Sequence, residues 1–156
     1  MDKKVRVYIE IEKDSNQKFE YNHEKKTLEL DRVLKEPFVY PFPYGFVMNT
    51  KAKDNDELDI LILTNEKIMK DTYHDVFIVG VLVMEDENGM DEKVLCVFEE
   101  DYKVINDITN VSEDIKEKIR YFFTNYKINT DGRWSKVYGY EDKSFAIKLY
   151  EDILLK

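Results

Sequence analysis

Val76-Phe77-Ile78-Val79-Gly80-Val81-Leu82-Val83-Met84 is the stretch that decides the fold. It carries no charge, is rich in β-branched side chains and is far too short to cross a bilayer as a helix. It therefore reads as a strand buried on both faces. Working outward, Asn88-Gly89 favours a tight turn, and Lys93 to Phe98 is the returning strand of a hairpin. Upstream, Leu58 to Leu63 is another strand. At the start of the chain Val5, Val7, Ile9 and Ile11 alternate with Lys4, Arg6, Tyr8, Glu10 and Glu12, the pattern of a half-buried strand. Lys18 to Tyr21 and Thr27 to Leu34 add two strands joined by the polar Asn22 to Lys26. Pro37, Pro41, Pro43 and Gly45 break regular structure in an aromatic-rich segment.

The last third reads as helix. Ser112 is placed to cap a helix with Glu113 and Asp114 in its first turn, where acids suit the positive end of the dipole. Ile115, Ile119, Phe122, Phe123 and Tyr126 then share one face. Gly132 marks the exit. A second helix is expected from Asp142 to Leu155, with Ala146, Leu149, Tyr150, Ile153 and Leu154 as its apolar stripe. Short strands followed by two helices argue for an α+β domain, mainly β, as a sheet or small barrel with helices packed outside. A chain of 156 residues, 43% hydrophobic, without repeats or linkers, is expected to form one domain over residues 1–156.

Acids outnumber bases, 33 to 24, for a net charge of -9. That surface repels nucleic-acid backbones and anionic lipid, so neither nucleic acid nor membrane is an expected partner. Cys96 is the only cysteine and lies in an apolar run, which suits a reducing compartment and a buried small hydrophobe. No signal-like apolar region follows Met1. A cytoplasmic location is the expectation.

The chemistry concentrates in two acidic clusters. Asp54-Asn55-Asp56-Glu57-Leu58-Asp59 opens a strand with four acids in six positions. Like charges this close repel unless something neutralises them. A calcium EF-hand loop is excluded, because its sixth position demands Gly and Asp59 stands there. The second cluster is Glu85-Asp86-Glu87-Asn88-Gly89-Met90-Asp91, with Lys93 two residues on. Both flank core strands and are placed to meet at one end of the sheet. Neither holds His or Cys, so hard divalent cations, Mg²⁺ or Mn²⁺, are preferred over zinc and copper. Lys18 and Glu20 share a strand face, Asp31-Arg32 ends the next strand, Tyr40 and Tyr44 flank the proline-rich turn, and Tyr126-Lys127 ends the first helix. Carboxylates, bases and phenols together suit a compact polyanion bound with its metal, such as a phosphoanhydride. No glycine-rich phosphate loop of the P-loop or Rossmann kind is present. Spacing alone does not choose between pyrophosphate and a nucleotide.

Asp54-Asn55-Asp56-Glu57-Leu58-Asp59-Ile60 fits the signature D-x-D-(P/E)-apolar-D-apolar at every position. Around it, in order, stand Ile9-Glu10-Ile11, Lys18-x-Glu20, Asp31-Arg32, Tyr40-Pro41, Tyr44-Gly45, Asp86-Glu87, Asp91-x-Lys93 and Phe122-Phe123 with Tyr126-Lys127. On these motifs the sequence, from about residue 5 to 150, resembles the soluble family I inorganic pyrophosphatases. The resemblance implies a five-stranded OB-like closed barrel with two flanking C-terminal helices, and hydrolysis of pyrophosphate to two phosphates by Mg²⁺-activated water. Asp54, Asp59 and Asp91 are then the main metal ligands. Asp86 joins Asp91 in holding metal that arrives with the substrate, and Glu10 and Glu20 support further metal through water. Asp56 is the general base. Lys18, Arg32, Tyr44, Lys93, Tyr126 and Lys127 hold the phosphoryl groups, with Tyr40 and Glu87 in support. Arg133 occupies a position where a base is common.

The chain departs from that pattern in places. Pro43 stands where Asn usually precedes Tyr-Gly, which questions the local turn. Tyr121-Phe122-Phe123-Thr124-Asn125-Tyr126-Lys127 lacks the histidines associated with subunit contacts in many bacterial members. A homo-oligomer is still implied, the hexamer being the usual bacterial form. His23 and His74 match no site of the family and read as surface residues. Simple packing is the competing reading for Tyr40 and Tyr44, and plain surface charge for Glu10 and Glu87. The competing functions are a catalytically silent metal- and phosphate-binding relative, and a broader polyphosphate or nucleotide hydrolase.

Overall fold

The computed structural model describes residues 2–52, 56–128 and 130–155. Among the described residues nine strands, three α-helices and a short 3-10 turn (Ile108–Asn110) follow one another. The strands are β1 (Lys4–Ile11), β2 (Gln17–Asn22), β3 (Thr27–Val33), β4 (Tyr44–Val47), β5 (Asp59–Ile62), β6 (Thr72–Asp86), β7 (Gly89–Met90), β8 (Lys93–Val97) and β9 (Ser135–Glu141). The helices are α1 (Glu99–Tyr102), α2 (Glu113–Asn125) and α3 (Lys143–Ile153).

The apolar stretch at 76–84 lies within β6, the spine of the molecule. Its first half pairs with β1, its middle with β8 and its end with β9. The order β1-β4-β5-β8-β6 closes because β6 also pairs with β1, so five strands form a ring with no free edge. This is the expected five-stranded barrel. Residues of alternate parity feed two cores. Ile60, Ile62, Val94 and Cys96 join one, capped by Ala146 and Ile147 of α3. Leu61, Leu95 and Val97 join the other, packed against Ile119, Phe122 and Phe123 of α2. Closure is tight where β1 meets β4. A Cβ on Gly45 would lie 1.8 Å from the Tyr8 carbonyl oxygen, so only glycine fits. The Cys96 thiol is fully buried, and burial pushes its pKa up, as suits a packing residue.

Several expectations need correction. Tyr8 and Glu10 do not point to solvent; both are buried, because the β2–β3 hairpin folds over that face of β1. The proline-rich segment ends in a real strand, β4, starting at Tyr44. Pro43 does not disturb it: the Pro43 carbonyl accepts the Ile62 N–H at 3.0 Å. β9 stands between Gly132 and Asp142, where the sequence pattern suggests no element. Ser112 and Asp142 do cap α2 and α3, accepting the N–H groups of Ile115 and Phe145. In α3, however, Ile147 is buried and Leu154 falls outside the helix, exposed. His74 is half-buried: it hydrogen-bonds Thr72 Oγ1 at 2.8 Å and meets the Phe98 ring edge-on. No helix among the described residues is long and apolar enough to cross a membrane.

Candidate active site

β5 and β8 run parallel, and Asp59 stands opposite Lys93 in their register. Parallel pairing puts the starts of both strands at the same end of the barrel. The two acidic clusters precede those starts, so the fold brings them together there. The β2–β3 hairpin arches over the same end, and the C-terminus of α2 closes its side. The result is a cleft of about 640 Å³.

Every expected site residue that lies within the described part of the chain lines this cleft. Glu10, Lys18, Glu20 and Arg32 come from β1 and the hairpin. Tyr40, Tyr44, Asp56 and Asp59 come from the segments around β4 and β5. Asp86, Glu87, Asp91 and Lys93 come from the β6–β8 turn, and Tyr126 and Lys127 from the end of α2. Arg133 lines it too. Asp54 lies outside the described residues. The cleft also takes in Asp31, Glu57, Asn88, Asp131 and His23, to which the sequence reading gave no role. Asp31 was legible: it adjoins Arg32, which stands opposite Lys18 in the hairpin register. His23 shows 62% of its side chain to solvent, as a surface residue would, yet it sits on the rim in contact with Glu57. The hairpin tip bends back onto the acidic segment.

Three lysines each straddle two carboxylates. Lys93 is 1% exposed, and its Nζ donates to Asp59 Oδ2 at 2.7 Å, Asp91 Oδ2 at 2.9 Å and the Tyr44 hydroxyl at 2.9 Å. Lys127 Nζ reaches Asp86 Oδ2 at 3.0 Å and Glu87 Oε1 at 3.3 Å. Lys18 Nζ bridges Asp31 at 2.9 Å and Glu20 at 3.0 Å. Arg32 differs. Its three guanidinium nitrogens are buried and have no hydrogen-bond partner among the described residues. Buried cationic donors left open are costly, so Arg32 offers a set of donors that an anion's oxygens could satisfy. Tyr40 and Tyr44 pack ring to ring at 5.1 Å, and Tyr40 meets Phe122 at 4.7 Å, so both serve the core while facing the cleft.

The electrostatics are those of crowded acids. Burial, followed by the charges of Asp59, Glu20 and Glu57, raises Glu10 to about 8, against the opposing Tyr21 N–H at 2.9 Å. Burial lifts Asp59 as well, while Lys93 holds the neighbouring Asp91 down in spite of its own burial. For Asp56, burial and the carboxylates of Glu57, Glu20 and Asp91 all push upward. Ten carboxylates line the cleft against five Lys and Arg side chains, so the charge balance calls for added cations before an anion can enter. Among the described residues, no three acidic or imidazole side chains close on one another as a finished metal cage. The lysines stand between them instead. The donor chemistry is all hard oxygen, which fits Mg²⁺-type ions and not thiophilic ones.

The family model described as inorganic pyrophosphatase matches residues 7–155. The chain belongs to the inorganic pyrophosphatase family. An inorganic pyrophosphatase of Helicobacter pylori is 41% identical over 149 residues, spanning 93% of this chain and 86% of that protein. One from Thermus thermophilus is 39% identical over 148 residues, spanning 92% and 85%. A solved Helicobacter pylori inorganic pyrophosphatase superposes with a TM-score of 0.93 at 39% identity, covering 96% of this chain and 91% of that one. The family fold is thus the closed ring described above, and family membership fits the cleft's mixture of carboxylates, lysines and an unpaired arginine.

Proposed function

We propose that this chain hydrolyses inorganic pyrophosphate to two orthophosphates, with Mg²⁺ as the working cation. The observation that carries the reading is the buried, unpartnered guanidinium of Arg32 in a cleft otherwise built of lysine-bridged carboxylates. A compact polyanion offers the oxygens that Arg32 lacks. Asp59, Asp91 and Asp86, with Asp54 beside them in sequence and Glu10 and Glu20 in support, would hold the cations that supply the missing positive charge. When bound, the metal lowers the pKa of water and offsets charge on phosphate oxygens.

The chain's own residues do the rest. Arg32 and Lys18 from the hairpin grip one phosphoryl group, and Lys127 and Tyr126 from α2 grip the other. Lys93 and Tyr44 hold the oxygen between or beside them, fixing the in-line approach that phosphoryl transfer needs. Asp56 accepts the proton as the water oxygen bonds to phosphorus and the bridging P–O bond breaks. Burial and the neighbouring carboxylates raise its basicity, which suits that task. A silent relative that only binds metal and phosphate has no use for such a base. The protein is further read as cytoplasmic and homo-oligomeric, with a hexamer as the expected size, which light scattering of the purified protein tests.

The test is phosphate release from pyrophosphate, tripolyphosphate and ATP, each with Mg²⁺, Mn²⁺ or Zn²⁺. The reading expects pyrophosphate with Mg²⁺ to be fastest. Equal rates on ATP would replace it with a general phosphoanhydride hydrolase.

A further inference from the structure

The β2–β3 hairpin is a two-stranded sheet of its own, with no ladder to the barrel. Such a ribbon is marginal alone, so side chains must set its pose. Its base is tied: the Leu34 N–H donates to the Asn16 carbonyl at 2.8 Å, and Tyr40 exchanges backbone bonds with Asp14 and Ser15. Its middle is tied by the Tyr21 N–H to Glu10 and by the Tyr21 ring edge-on to Tyr8 at 5.1 Å. Beyond Tyr21, the tip has one polar tie to the rest of the molecule among the described residues: His23 Nε2 to Glu57 Oε1. The His23 ring also lies 6.0 Å from Phe46 and 4.9 Å from Tyr21.

The tie joins two working parts. The hairpin carries Lys18 and Arg32. Glu57 stands between Asp56 and Asp59 on the acidic segment. We propose that His23 and Glu57 form a latch, two positioning residues that hold the hairpin down over the cleft so that Arg32 and Lys18 meet a phosphate bound at the acidic end. In this role neither residue needs to touch the substrate. The consequence of opening the latch is a hairpin that samples raised positions and binds substrate less often in the right pose. This rests on the pyrophosphatase reading for its kinetic consequence, but not for its structural one.

The experiment uses His23→Ala, Glu57→Ala and the double variant of the full chain. Amide hydrogen exchange in metal-free, substrate-free protein should quicken about fivefold over residues 17–33 and stay unchanged over β5, β6 and β8, as loss of one exposed contact allows. With pyrophosphate and Mg²⁺, KM should rise about fivefold while kcat stays within about twofold, and the double variant should match the singles because they break one contact. Unchanged exchange over 17–33 would overturn the latch whatever the activity, as would additive effects in the double variant or a fall in kcat at constant KM. Absence of pyrophosphate hydrolysis in the parent chain would sink the functional reading and leave the exchange result to decide the latch.

Discussion

Replacing Lys93 with methionine removes the ammonium that holds Asp59 and Asp91 together while keeping the length of the side chain. Lys93 is 1% exposed and bonded to both carboxylates and to the Tyr44 hydroxyl, so solvent screens little of the effect. Breaking a buried ion pair by removing one partner costs about 3–5 kcal/mol, because the remaining charge is left uncompensated. Two carboxylates are stranded here, which favours the upper part of that range. At this chain length each kcal/mol moves the melting temperature by about 2–4 °C, so the metal-free variant should melt roughly 10 °C or more below the parent. A divalent cation held by these carboxylates, as the proposed function requires, would take over part of the ammonium's role. Saturation at a hundred times Kd stabilises either form by about 2.7 kcal/mol, and every tenfold tighter binding by the variant, which has no ammonium competing for the carboxylates, shrinks the deficit by about 1.4 kcal/mol when Mg²⁺ replaces EDTA. Urea denaturation in EDTA and in saturating Mg²⁺ measures both. A deficit below about 1 kcal/mol in EDTA, or one equal in the two buffers, would refute the reasoning that Lys93 stands in for missing cationic charge.

Other outcomes follow from single contacts. Arg32→Gln should lower kcat/KM by about a hundredfold or more, as loss of a charged donor to the reacting phosphate does, yet leave the melting temperature unchanged or higher, since the guanidinium has no hydrogen-bond partner to lose among the described residues; a marked drop in stability would show that Arg32 serves the fold. Gly45→Ala places a Cβ 1.8 Å from the Tyr8 carbonyl and should destabilise by at least about 2 kcal/mol, or prevent soluble expression; a parent-like melting curve would mean β1 and β4 part easily. Burial and Arg6 hold His74 below its usual pKa. A histidine that resists protonation when folded adds nothing above its unfolded value near 6.5 and costs stability as pH falls through that value. His74→Asn should therefore lose less stability than the parent between pH 7 and pH 5, as denaturation at each pH reports.

Much of this was legible in the sequence because the signals were local. The uncharged run at 76–84 declared a strand buried on both faces, and Ser112 and Asp142 declared helix starts, since caps and burial patterns need only near neighbours. The signature at 54–60 named the acidic end of the site. What local pattern does not carry is coverage by distant chain. Tyr8 and Glu10 alternate as outward residues and are buried only because the hairpin folds over them. β9 escaped notice because it is a half-exposed edge strand, interrupted by Gly139, whose stability comes from pairing with the end of β6. The parallel pairing of β5 with β8, which unites the two acidic clusters, is a property of topology that neither strand's sequence announces. His23 looked like surface for the same reason: its partner, Glu57, lies across the cleft.

The central claim is tested most directly by phosphate release from pyrophosphate with Mg²⁺, measured side by side for the parent chain and Asp56→Asn. Rapid release by the parent is expected, with a loss of about a hundredfold to ten-thousandfold in kcat for the variant, the usual worth of a general base. Release undiminished in Asp56→Asn would contradict the assigned proton acceptor, and no release by the folded parent would contradict the function itself.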